Sequence, residues 1–239
     1  MRKFYTLLQV CAVLFLSLTV KAQSSFTEGV LIYKADTLEK REASPAAYIV
    51  SQVVVYKKTN DLRIEVWRVN RFDNKDFYKD IHIRNKSGIY MLVESSDSMM
   101  ASLANFAIFI SYEEEKRFQN ERVIEQNASH YKVSKVIENT SWFNWPAQRV
   151  LVKGGAKNEE SEMTLTNAIE VPVGSVFDSL LGAIDGTPLQ FVFNVYGWMT
   201  RLTASDFKLE KVADTKFQVN PKFTIMGFEE TLKKISDFK

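Results

Sequence analysis

Apolar positions along this chain recur mostly every second residue, the period of a half-buried β-strand. The pattern predicts strands over about 27–37 and 47–58. After the polar turn Lys57-Lys58-Thr59-Asn60-Asp61, Leu62, Ile64 and Val66 alternate with Arg63, Glu65 and Trp67 as a third strand. Phe77–Arg84 and Gly88–Glu94 pair as a hairpin around Asn85-Lys86-Ser87-Gly88. Residues 97–123 read two ways. Ser98 would cap a helix through Met99, Met100, Leu103, Ala104 and Ala107. The favoured alternative is a short helix or loop at 97–104, then a hairpin. Its strand Phe106–Tyr112 turns at Glu113–Glu115 and returns over Lys116–Arg122.

Further strands are expected near 131–138, 147–153, 161–168, 188–195, 198–204 and 206–213. Val176, Phe177, Leu180, Leu181 and Ile184 fall at helical spacing behind Ser175, a suitable cap, and Phe228, Leu232 and Ile235 mark one face of a short C-terminal helix. Ten or more antiparallel strands with two or three short helices imply a mainly β fold. A single antiparallel sheet of that width must curl, here into a half-open barrel with helices over part of its concave face.

The first 22 residues stand apart. Arg2 and Lys3 precede the mostly apolar run Leu7–Val20, and Val20-Lys21-Ala22 offers a cleavage pattern, the layout of a secretory signal peptide. Gln9, Ser17 and Thr19 interrupt the run, which is too short for a membrane span. Cys11 lies inside it rather than behind it, where a lipoprotein signal would need it. The expected product is one β-rich domain over 23–239, exported to the periplasm or beyond, with no later run that would span a membrane.

Removing the leader changes the charge. The whole chain has 31 basic and 29 acidic residues, a net charge of +2. Without Arg2, Lys3 and Lys21 the remainder carries 28 bases against 29 acids. Its near neutrality gives no electrostatic case for nucleic acid. The single cysteine also leaves with the leader, so neither a disulfide framework nor a thiolate metal site is available.

Several segments together resemble the GLPGLI family of exported bacterial proteins of unknown function. Gly29-Val30-Leu31-Ile32-Tyr33 is similar to its opening G-x-I-x-Y strand. Val55-Tyr56-Lys57-Lys58 through Arg63-Ile64-Glu65 resembles its v-Y-Y-K-g-d-k-v-R-i-e hairpin. Gly88-Ile89-Tyr90-Met91-Leu92 resembles its g-x-Y-x-L strand, and Gly186-Thr187-Pro188-Leu189 its late G-x-P-L turn. Many members carry Gly-Tyr-x-Cys where this chain has Trp145-Pro146-Ala147-Gln148. The resemblance implies a fold similar to the outer-membrane lipoprotein carriers, a half-open barrel able to shelter an acyl chain.

Candidate chemistry is sparse. His82 alternates with Ile81 and Ile83 and shares a face with Asp80 and Arg84, which reads as a solvated strand face. His130 sits in a turn before a strand, and neither histidine has a spacing that suggests a triad or a metal site. Glu113-Glu114-Glu115 and Glu159-Glu160-Ser161-Glu162 lack the alternation of a calcium loop and read as solvated turns. Trp142, Phe143 and Trp145 crowd one inter-strand turn, and Tyr196 and Trp198 flank a second. They either cap an end of the barrel core or form a contact surface. Met91, Met99 and Met100 either fill the core or line an adaptable apolar cavity. The resulting expectation is a non-enzymatic carrier for a lipid or acyl chain, with no cofactor. The alternative is a filled barrel whose aromatic turns dock on an envelope protein.

Overall fold

β-Branched and aromatic residues at period two carry most of the chain into strands. The computed structural model describes residues 26–40, 48–70, 72, 77–96, 105–125, 128–155, 158–195 and 198–237. The strands are β1 (Glu28–Lys40), β2 (Tyr48–Lys58), β3 (Asp61–Asn70), β4 (Phe77–Asn85), β5 (Gly88–Ser95) and β6 (Phe106–Ile110). They continue with β7 (Ser129–Trp142), β8 (Trp145–Gly155), β9 (Glu159–Thr166), β10 (Thr187–Val195), β11 (Trp198–Lys208) and β12 (Thr224–Gly227). Two α-helices, α1 (Tyr112–Glu125) and α2 (Phe228–Asp237), complete the regular elements, with short 3-10 turns at Val173–Val176, Ser179–Ala183 and Asp214–Phe217.

All twelve strands form one open sheet in the order β12-β6-β5-β4-β3-β2-β1-β11-β10-β9-β8-β7. Every neighbouring pair is antiparallel except β12 and β6. The sheet is strongly curled. Trp142 at the end of β7 donates its indole N–H to the Ala204 carbonyl of β11 at 3.0 Å. Those strands are four places apart in the sheet, about 19 Å if it were flat. A direct hydrogen bond therefore requires the sheet to roll up into a half-open barrel.

The concave face holds the larger core. Leu31 and Tyr33 of β1, Val53 and Val55 of β2 and Phe191 of β10 are fully enclosed there. Ile169, Val171, Val173 and Leu181, from the segment between β9 and β10, fill the space above them. Tyr33 donates its hydroxyl to the Pro188 carbonyl at 2.8 Å, which joins two of the segments that carry the family resemblance. Burial raises the Tyr33 phenol well above its ordinary range. The glycines that open two of the resembling segments have a steric reason. A Cβ on Gly29 would strike the Lys208 carbonyl, and one on Gly88 would lie 2.9 Å from the Ile110 carbonyl.

The convex face is covered by an extended strap, residues 209–223, whose Val212, Phe217 and Phe223 pack on Val30, Val54, Ile81, Ile83, Leu92 and Ala107. Polar side chains fasten this strap. Lys58 pairs with Asp214, Arg63 donates to the Lys216 carbonyl at 3.2 Å, and Asn85 donates to the Phe217 carbonyl at 3.0 Å.

Four expectations change. The Glu159–Glu162 run is not a turn but the start of β9, paired along Leu151–Gly154 of β8. The return strand Lys116–Arg122 is part of α1, because Ser111 and Glu114 form a capping box. The Ser111 N–H donates to the Glu114 carboxylate at 2.8 Å, and the Glu114 N–H donates back to the Ser111 hydroxyl at 3.2 Å. Glu113–Glu115 are accordingly the first turn of a helix, where negative charge is favourable, rather than a hairpin turn. The helix expected over Ser175–Ile184 is two 3-10 turns, the second capped by Asp178, which accepts from the Leu180 N–H at 3.0 Å. The strands expected at 198–204 and 206–213 form a single strand ending at Lys208. The break at Ser205 is a β-bulge between the Tyr33–Ala204 and Ile32–Asp206 pairs.

Candidate functional site

On the β3–β6 half, the concave face is not filled by the segment between β9 and β10. A cavity of about 290 Å³ remains there. Leu62 and Ile64 of β3, His82 and Arg84 of β4 and Ile89 and Met91 of β5 line its sheet side. They share one face because the register sets Ile64 against His82 and His82 against Met91. Ile110 of β6 extends the same wall. Opposite lie Glu115, Phe118 and Gln119 of α1, and Ser175, Val176 and Ser179 of the two 3-10 turns. The volume is that of about ten water molecules and sits at the small end of ligand sites.

The lid of this cavity is held by polar contacts. Arg84 pairs with Glu115 and lies over the Tyr112 ring, 5.3 Å from its centre. Tyr112 donates to the Asn85 carbonyl at 2.6 Å. On the far side α1 meets α2, where the tilted rings of Phe118 and Phe228 pack with centres 4.6 Å apart and Arg117 pairs with Glu229 at 3.4 Å.

His82 is therefore not on a solvated face. Its alternation with Ile81 and Ile83 holds, but the side shared with Asp80 and Arg84 is the one that α1 and the 3-10 turns cover. Burial draws the imidazole from its ordinary 6.5 down to about 4, against the opposing pull of Asp80 and with a smaller contribution from Arg68. Asp80 itself accepts from Arg68 Nε at 2.8 Å.

The unfolded chain takes up the His82 proton near pH 6.5, the folded protein only near pH 4. Stability is then complete above that window and falls as pH drops through it. The loss is roughly 2 kcal/mol, allowing for the imidazole's partial exposure to the cavity. His82→Gln is expected to lack this part of the acid destabilisation, measured as urea midpoints at the two ends of the window. Equal slopes in both proteins would contradict it.

The aromatic turn lies elsewhere. Trp142-Phe143-Asn144-Trp145 is a two-residue hairpin with φ of 52° and 64° at its central positions, a type I′ turn. Trp142, Phe143 and Trp145 are half-buried against the concave core. Trp145 meets Phe207 at 4.4 Å and Phe143 at 5.5 Å, while Phe26 meets Phe207 at 4.9 Å. Trp198 is half-buried at the start of β11, across from Lys40 of β1. Among the described residues, Met91 is the one sequence candidate that lines the cavity. Tyr196, Met99, Met100 and the leader 1–22 lie outside the described residues. His82, Phe118 and Gln119 were not foreseen as site residues. The Ser111-x-x-Glu114 signature was the available signal for α1, which brings two of them.

Two larger clefts, about 670 Å³ beside β7 and β8 and about 470 Å³ along residues 167–188, have more polar walls. Among the described residues no cluster of His, Cys, Asp and Glu is placed to hold a metal ion. No described helix is long and apolar enough to cross a membrane. Compared with protein-family models and with curated proteins, the chain matches none.

Proposed function

We propose that this protein is an exported, non-enzymatic binding or carrier module that shelters a small apolar or acyl ligand in the concave-face cavity. The observation that carries this reading is the unfilled space between β3–β6 and α1. Half of its fourteen lining residues are Leu, Ile, Met, Val or Phe, and its walls are more apolar than those of the two larger clefts. Well-packed interiors rarely leave such a void without use. The half-open barrel and the family resemblance support the same reading, as does the leader-like start of the chain.

Docking through the aromatic turn has less support, since Trp142, Phe143 and Trp145 already engage the protein's own core.

Met91→Trp places an indole into the cavity from its sheet wall. Binding of the nonpolar fluorophore N-phenylnaphthylamine is expected to weaken at least about tenfold, a change of ~1.4 kcal/mol. The urea midpoint should stay close to that of the wild type. Undiminished probe binding would place the ligand outside this cavity.

A further inference from the structure

The charges around the cavity cancel in pairs. Arg84 and Glu115 are bound to each other, and Arg84 is further engaged by the Tyr112 ring. Asp80, next on the same face of β4, is held by Arg68. Ser175 donates its hydroxyl to the Pro172 carbonyl at 2.7 Å. His82 and Gln119 face the same space from opposite walls, β4 and α1. We infer that the cavity selects an uncharged amphiphile, an apolar chain ending in a hydrogen-bonding but un-ionised head group held between His82 and Gln119.

This rests on the cavity being a ligand site and adds which ligands it takes. An ionised carboxylate or ammonium brought into an apolar cavity needs a counter-charge, and both candidates are already neutralised. Displacing Glu115 from Arg84 would also remove a contact that holds α1 in place. An alcohol, ester or amide needs only a donor and an acceptor. A neutral imidazole supplies one of each and a glutamine amide supplies both. Burial keeps His82 in that neutral form at neutral pH.

The test compares decanol, decanoate and decylamine as competitors of N-phenylnaphthylamine on the purified full chain at neutral pH. Decanol is expected to compete at least about tenfold more strongly than either ion. His82→Leu and Gln119→Ala are each expected to weaken decanol several-fold more than they weaken the probe, which has no such head group to place. Decanoate or decylamine binding as tightly as decanol would overturn the inference and leave the cavity as a ligand site. Unchanged decanol affinity in both variants would also overturn it. Failure of the probe and all three competitors to bind would overturn the ligand site and the inference together.

Discussion

Glu65→Ala is expected to destabilise the protein by about 3–5 kcal/mol, the cost of stranding buried charge. Glu65 is only 3% exposed although it carries a carboxylate. Its two oxygens face Arg63 Nε at 2.6 Å and Lys79 Nζ at 3.7 Å. Lys79 in turn reaches Glu94 at 2.8 Å and lies over the Trp67 ring, 4.7 Å from its centre. Burial alone would raise the Glu94 carboxyl, but its bond to Lys79 and the nearby charge of Lys222 outweigh that and hold it below the ordinary range. Removing Glu65 leaves Lys79 with Glu94 but takes from Arg63 its carboxylate partner. Arg63 also fastens the 209–223 strap through the Lys216 carbonyl, so strap and sheet should loosen together. Urea unfolding followed by circular dichroism measures the loss. The double variant Arg63→Leu/Glu65→Leu should recover more than half of it, because no buried charge is then left unmatched. A single-variant loss below about 1 kcal/mol would show that water reaches this cluster.

Trp145→Ala is expected to cost about 3 kcal/mol. The indole packs against Phe143, Phe207 and Phe26 and closes one end of the concave core. The same substitution separates the two functional readings. A docking surface would lose its partner with little change in stability, whereas a core cap loses stability first. Thermal unfolding monitored by circular dichroism distinguishes them, and a melting temperature within a degree or so of wild type would favour docking.

The first five strands were legible because each half-buried strand writes its own alternation, and the turn at Asn85–Gly88 is marked by turn-forming residues. Helix α1 was harder. Its sequence is charged nearly all round, so hydrophobic period has little to act on, and only the Ser111–Glu114 capping pair distinguishes it from a polar hairpin. The apolar spacing of Val176, Leu180, Leu181 and Ile184 correctly announced burial. It did not announce helix type, because Asp178 caps a new turn within the segment. The cavity was least legible of all. Alternation put His82 and Met91 on definite faces, but which face is roofed depends on α1 and on residues 173–183, far away in sequence. Trp142 shows the same limit. Its turn was plain in the sequence, while its contact with Ala204 exists only because the sheet curls.

The central claim is that the concave-face cavity holds a small apolar or acyl ligand. Native mass spectrometry of the protein purified from its native source tests it most directly, with Met91→Trp prepared in parallel. One bound small molecule per wild-type chain is expected, absent from the Met91→Trp variant. A wild-type spectrum free of any adduct, or an adduct retained in Met91→Trp, would contradict it.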